Sequence, residues 1–292
     1  MKIYKTILIY FSLVKFAHTV FALPFALLGF FLGVSDSGEQ IKIKLFILVL
    51  LCMVFARNAA MGFNRYIDRK YDQENNRTAK REIPAGIIKP FSAFVFIVIN
   101  ILGFIGTTYF INTICFFLSP IALLVILGYS YTKRFTFLCH FILGLGLSLA
   151  PIGAYLAVTG YFALYPVLFS LVVLFWVSGF DIFYALQDTS FDKSKNLHSV
   201  PVKMGIINAL ILSAILHLIS SFLIIYIGII LNFGILYWIG AIVFIILLIY
   251  EHLIVKPSDL SRVNQAFATL NGFASIIFCV FVIAELFVNK MA

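Results

Sequence analysis

The chain has 292 residues, 63% of them hydrophobic and 11% charged, and carries a net charge of +9. Its mean hydropathy of +1.08 exceeds what a water-facing surface permits, which excludes a soluble globular domain. The positive charge could suggest nucleic acid, but the basic residues collect in loops between apolar runs, so no nucleic-acid partner is expected.

Apolar stretches of about 20 residues, the length a helix needs to cross a hydrocarbon core of ~30 Å, recur along the whole chain. The first runs over 8–34. Its basic start resembles the head of a signal peptide, yet Lys15 and His18 interrupt the apolar part and no small-x-small site follows, so it reads as a retained span. Further spans are expected at 43–64, 91–111, 114–131, 137–158, 162–185, 206–230, 234–250 and 265–288, nine in all. Turn signals such as Ile111-Asn112-Thr113, Thr159-Gly160 and Asn232-Phe233-Gly234 separate runs too long for one crossing. The alternating strands of ~10 residues that a β-barrel needs do not occur.

With nine spans, the N-terminus and the loops after even-numbered spans share one side. That side collects 16 of the 21 basic residues, while Lys42, Lys44 and Lys290 lie opposite. Basic residues accumulate on the cytoplasmic side during insertion, so the N-terminus and these loops are expected in the cytoplasm, with the protein in the cytoplasmic (inner) membrane. The four cysteines lie one to a span without metal-type spacing and read as core packing.

Two acidic segments stand out. Arg57, Asn64, Asp68 and Asp72 are spaced 7, 4 and 4 residues apart, which keeps them on one face of a continuous helix running from the second span into its loop. Asp181, Asp188 and Asp192, spaced 7 and 4 apart with Tyr184 beside them, repeat the pattern at the end of the sixth span. Alone, Asp68 and Asp72 would read as solvated charges paired with Arg69 or Lys70; the second stripe argues for more. Facing carboxylates repel unless a cation lies between them, and hard divalent ions such as Mg²⁺ prefer oxygen ligands, commonly one or two carboxylates plus phosphate oxygens. One metal per stripe with a bridging diphosphate fits these residues. Arg77, Arg81, Lys133, Arg134, Lys193 and Lys195 lie on the same side, able to cover the phosphates.

The run Asn64-Arg65-Tyr66-Ile67-Asp68-Arg69-Lys70-Tyr71-Asp72, followed by Arg77-Thr78-Ala79-Lys80-Arg81 and Pro84-Ala85-Gly86, resembles the first signature of the UbiA superfamily of intramembrane prenyltransferases. Asp181-x-x-Tyr184-x-x-x-Asp188-x-x-x-Asp192 resembles the second, and Tyr129-Ser130-Tyr131-Thr132-Lys133-Arg134 a third motif between them. The resemblance implies an all-α, polytopic membrane bundle of nine helices around a central cavity, a single domain over 1–292. It implies Asn64, Asp68 and Asp72 on one Mg²⁺ and Asp188 and Asp192 on the other, with Arg77, Arg81, Lys133 and Arg134 on the diphosphate of a polyprenyl donor. Where the family usually has Asp after the first Asn, this chain has Arg65, one possible ligand fewer.

The segments FARNAAMGFNR (55–65) and KFAHTVFALPFALLG (15–29) are similar to the 4-hydroxybenzoate polyprenyltransferase-like branch, some of whose members serve a futalosine-type route to menaquinone with a dihydroxynaphthoate acceptor. The expected reaction is transfer of the prenyl group to a small aromatic acid in quinone biosynthesis, with ubiquinone or menaquinone as end product. Asp68 and Asp188 are the central catalytic carboxylates, and Asp181, deeper along its helix, could accept the ring proton. Arg57, Lys15, His18 and Tyr184 are candidates for the acceptor, Arg57 first because its fork matches a carboxylate. His140 and His217 have no sequence partner and read as structural. The rival from another class is a secondary transporter, since acidic residues in spans also mark ion pathways; the clustering of four aspartates near one face speaks against a midplane site. The Asp-Gly…Ala-Arg…Gly…Asp pattern of a CDP-alcohol phosphotransferase is absent.

Overall fold

A backbone surrounded by lipid must satisfy its own hydrogen bonds, and among the described residues the regular elements are all helices. The computed structural model describes residues 2–15, 19, 21–38 and 40–291. In chain order the helices are α1 (Lys2–Leu13), α2 (Leu23–Ser37), α3 (Ile43–Ile67), α4 (Arg69–Glu74), α5 (Pro90–Ile111), α6 (Thr113–Thr132), α7 (Cys139–Thr159), α8 (Leu164–Ala185), α9 (Thr189–Ser194), α10 (Val200–Ile230), α11 (Ile235–Ile254) and α12 (Asn271–Met291). A 3-10 turn (Leu186–Asp188) precedes α9, and a π turn (Gln265–Leu270) leads into α12.

Among the described residues, eight helices are long and apolar enough to cross a bilayer. The first expected span, 8–34, is corrected: it is two helices. α1 closes at Leu13, Lys15 turns the chain at φ 46°, and Pro24 enters at the start of α2. Proline lacks the amide proton, and the first turn of a helix leaves that proton unpaired in any case, so Pro24 suits the start of α2. The 15 residues of α2 extend about 22 Å, short of a full crossing. α10 begins at Val200, ahead of the expected 206, and bends at Gly205, whose φ of 81° favours glycine.

α8 lies at the centre, packed chiefly on α7 and α10, while α2 packs on α7 and α11 on α12. Trp176 is its anchor, with ring centroids 5.0 Å from Phe180, 5.5 Å from Phe25 and 5.7 Å from Phe244. Ile99, Leu102, Phe117, Leu124, Leu218 and Ile235 stand exposed on the outside, as a lipid-facing surface requires. Lipid offers apolar side chains as good a home as another helix does, so close backbone approach through small residues decides packing. A Cβ on Gly29 of α2 would stand 2.0 Å from the Pro151 carbonyl oxygen of α7. Gly29→Ala must therefore push the two helices apart, with an expected cost of about 1–3 kcal/mol, read as a lowered Tm in detergent. An unchanged Tm would show that the contact is slack.

At the end of the bundle remote from the acidic segments, Glu285 of α12 caps α11. Its Oε1 accepts from the amide of Gly234 (2.8 Å) and its Oε2 from those of Leu236 (3.1 Å) and Tyr237 (3.3 Å). These amides have no partner within the helix, and the negative charge suits the helix N-terminus. The four cysteines are free, Cys139 and Cys279 buried and Cys52 and Cys115 half-buried.

Candidate active site

The two acidic segments are built alike, but not as the continuous helices that their spacing suggests. Asp68 follows α3 with φ −89°, ψ 4°, and the six-residue α4 begins after it; Asp188 ends the 3-10 turn at φ −103°, ψ 4°, and the six-residue α9 follows. This bridge-region backbone turns the chain aside. Each segment therefore presents one aspartate at a helix break and a second, Asp72 or Asp192, in the first turn of the short helix, where they are only 6% and 1% exposed.

The segments meet. Nδ2 of Asn75 donates to Oδ1 of Asp188 (3.1 Å), Nε of Arg77 donates to the same oxygen (2.9 Å), and Nη2 of Arg77 pairs with Oδ2. Lys195 pairs with Glu74, and the amide of His198 donates to the Lys133 carbonyl (2.7 Å). Nη1 of Arg81 donates to Oδ1 of Asp72 (2.6 Å), and Nη2 of Arg134 to Oδ1 of Asp68 (3.1 Å), whose Oδ2 takes Nδ2 of Asn64 (3.2 Å). Nζ of Lys133 lies 2.7 Å from Oδ2 of Asp192. The neighbours Lys133 and Arg134 thus reach one to each acidic segment. Arg69, the nearest cation in sequence, instead donates to the Tyr66 carbonyl (2.6 Å) and covers the Tyr66 ring.

Four carboxylates face four cations in one cluster, so the charges balance. Burial pushes the Asp68 carboxyl up, against the pull of Arg134. Burial disfavours the Lys133 ammonium, but Asp192 holds its pKa above the usual lysine value. Oδ2 of Asp72 is buried with no hydrogen-bond partner, and an unmatched buried acceptor costs about 1–3 kcal/mol. That orphan, in an oxygen-only set of Asn64, Asp68, Asp72, Asp188 and Asp192, fits a hard divalent ion.

Deeper in α8, Oδ2 of Asp181 lies 2.7 Å from Nδ1 of His140, whose Nε2 takes the Val200 amide (3.3 Å). The amide can only donate, so Nδ1 carries the ring proton and gives it to Asp181. His140 is therefore a partner of a candidate site residue, which corrects its reading as merely structural; 41 residues separate the two and no sequence period links them. The Tyr129 phenol interacts electrostatically with Asp181, Asp68, Arg65 and Arg81. Arg65 is 6% exposed and its Nε has no partner. The Tyr184 hydroxyl accepts from Nη1 of Arg77 (2.7 Å), with the guanidinium 5.0 Å from its ring centre and Phe267 against the ring at 4.3 Å.

Arg57 donates through Nη1 to the Val14 carbonyl (2.8 Å) and through Nη2 to that of Lys15 (2.9 Å), tying α3 to the end of α1. Two of its five N–H groups are so used. Lys15 is exposed. His18 lies outside the described residues. Tyr129 was legible only as part of a longer motif, and Asn75, between two signature runs, carried no signal of its own.

The UbiA prenyltransferase family model matches residues 22–277. A 4-hydroxybenzoate octaprenyltransferase of Aliivibrio salmonicida is 29% identical over 232 residues, 80% of this chain and 81% of that protein. One from Blochmanniella floridana is 29% identical over 251 residues, 85% of this chain and 87% of its own. The structure of a UbiA homologue from Aeropyrum pernix K1 is similar with a TM-score of 0.79 and 26% identity, covering 94% of this chain and 98% of that one. A UbiA homologue from Archaeoglobus fulgidus, bound to DMAPP and Mg²⁺, has the same fold at a TM-score of 0.76 and 22% identity, covering 96% and 99%.

Proposed function

This chain belongs to the UbiA prenyltransferase family, and we propose that it transfers a polyprenyl group from an allylic polyprenyl diphosphate to the ring of 4-hydroxybenzoate or a related hydroxy-aromatic acid. It is an integral membrane protein, and the loop charges support a cytoplasmic-membrane location with the N-terminus and the acidic segments facing the cytoplasm. The observation that carries the reading is the meeting of the two segments, in which Asn75 and Arg77 of the first hold Asp188 of the second.

Asn64, Asp68 and Asp72 would hold one Mg²⁺, and Asp188 and Asp192 another. Bound there, the ions neutralise the diphosphate and favour its departure. Arg77, Arg81, Lys133 and Arg134 are cations already paired with these carboxylates, so they stand where donor phosphates would arrive and can transfer their hydrogen bonds to phosphate oxygens. In the reaction the C1–oxygen bond of the donor breaks with its electron pair going to diphosphate. A ring carbon ortho to the hydroxyl bonds to C1, and the ring loses a proton. Asp181 is the proposed proton acceptor, oriented by His140. The ring face of Tyr184 attracts positive charge, as the Arg77 guanidinium over it illustrates, and is suited to shield C1 as charge develops there.

The carboxylate of the acceptor is assigned to the remaining N–H groups of Arg57. Arg57→Gln is expected to raise the acceptor KM about tenfold, a loss of roughly 1.4 kcal/mol, with little change in the donor KM. An equal rise in both would mean that Arg57 acts only through α1.

The test of function supplies the detergent-purified chain with a polyprenyl diphosphate, Mg²⁺ and, separately, 4-hydroxybenzoate or dihydroxynaphthoate. Diphosphate release matched by a prenylated ring is expected; the acceptor with the higher kcat/KM decides between a ubiquinone and a menaquinone role. Release of diphosphate with neither ring prenylated would sink the reading.

A further inference from the structure

A second polar cluster lies in the bundle, apart from the aspartates. His217 of α10 and Glu251 of α11 are 3% and 0% exposed, and His252 is half-buried beside them. Ionisable groups among spans are costly and mark function more often than packing. Nε2 of His217 lies 3.1 Å from the Trp176 carbonyl, which can only accept, so this nitrogen carries the ring proton and Nδ1 holds a lone pair. That lone pair faces Oε1 of Glu251 at 2.7 Å and Nε2 of His252 at 2.9 Å. Oε1 of Glu251 accepts no hydrogen bond. The other oxygen, Oε2, takes Nδ2 of Asn271 (2.6 Å); Asn271 also donates to the Ala266 carbonyl (2.9 Å) and accepts from Nε1 of Trp176 (2.5 Å).

Nδ1 of His217 can take the ring proton of His252, but Oε1 of Glu251 beside it is then still without a donor, and a buried carboxylate oxygen left so needs positive charge next to it. A proton shared by His217 and Glu251 would require an aligned hydrogen bond, which the pair lacks. Three ligand atoms converging within 4.8 Å of one another suit an ion instead. We propose that Nδ1 of His217, Oε1 of Glu251 and Nε2 of His252 bind a divalent transition-metal ion of the zinc type, at a site separate from the aspartate cluster. Two imidazoles and one carboxylate, with a fourth position open, are a ligand set zinc takes, whereas magnesium prefers oxygen donors alone. The surroundings complete the design, since ligating histidines characteristically give their second ring proton to a carbonyl and ligating carboxylates are themselves hydrogen-bonded, as Trp176 and Asn271 provide.

The location defines the role. Trp176, Gly179 and Phe183 follow one another 3 and 4 residues apart on one side of α8, with Asp181 on the other. A Cβ on Gly179 would stand 2.3 Å from Nε2 of His217, and the Phe183 ring lies 4.8 Å from that of His252. The ion therefore staples α10 to α11 behind the helix whose opposite side carries Asp181.

The test is metal analysis of the full chain, purified in detergent, exposed to excess zinc and dialysed against metal-free buffer. Wild type should retain about one zinc per chain and, after exchange, show the visible absorption of four- or five-coordinate cobalt. His252→Gln and Glu251→Gln should lose the ion, and Asp68→Ala and Asp188→Ala should keep it. Circular dichroism and gel filtration identify folded variants; if Glu251→Gln does not fold, the half-buried His252→Gln decides. Wild type without stoichiometric zinc or cobalt would overturn the proposal, as would zinc retained in folded His252→Gln or lost in Asp68→Ala. The readout does not involve prenyl transfer, so failure here leaves the proposed function standing.

Discussion

Asp188→Ala is expected to lower turnover by about 10²–10³-fold at saturating polyprenyl diphosphate and Mg²⁺, the scale of losing one group that stabilises charge developing on the leaving oxygens. Asp188 has two tasks in the proposed mechanism. Its carboxylate is a ligand for one ion, and it receives Asn75 and two nitrogens of Arg77, Nε and Nη2, which join the first segment to the second. Asp188→Asn largely separates the tasks, because the amide oxygen still accepts from Asn75 and from Nε of Arg77, and only the contact of Nη2 is lost together with the charge. Turnover as low in Asp188→Asn as in Asp188→Ala is expected and would assign the loss to the metal. Near-normal turnover in both, or in Asp68→Ala, would refute the metal assignment.

Lys133→Ala should raise the donor KM by about one to two orders of magnitude, since a charge-assisted contact to a phosphate is lost and each factor of ten is 1.4 kcal/mol. Lys133 is also the partner of Asp192, whose side chain is 1% exposed. Removing the ammonium leaves that carboxylate without its cation, so Mg²⁺ binding should gain in apparent affinity while donor binding falls. Lys133 itself is one-third exposed, which limits the stability cost to less than that of a fully buried pair. Steady-state kinetics over donor and Mg²⁺ concentrations check both directions; a donor KM unchanged from wild type would remove Lys133 from the phosphate site. Arg134→Ala offers the parallel case at Asp68.

Hydropathy made the bundle legible because lipid permits few alternatives, and nearly every expected span has its helix. The exception is instructive. The stretch 8–34 is apolar enough to pass for one crossing, but hydropathy averages over Pro24 and over the turn at Lys15, where the chain divides. Within the candidate site, spacing singled out the aspartates that the structure brings together and suggested that the segments converge, yet it treated each segment as one straight helix. The breaks at Asp68 and Asp188 depend on backbone angles that a repeat of four does not encode. Contacts between distant elements were not legible. His140 reaches Asp181 from another helix, Arg57 spends two donors on α1, and Glu251 finds His217 34 residues earlier, none through a local pattern.

The carboxylate cap that α12 places on α11 bears on how the chain can be altered. A deletion from the carboxyl end that reaches Glu285 would strip three main-chain donors of their acceptor and unwind the beginning of α11, far from the segment removed. Shortening or fusing this end is therefore safe only beyond that residue. Loss of folded protein on truncation would report a missing acceptor, with no bearing on chemistry at the aspartates.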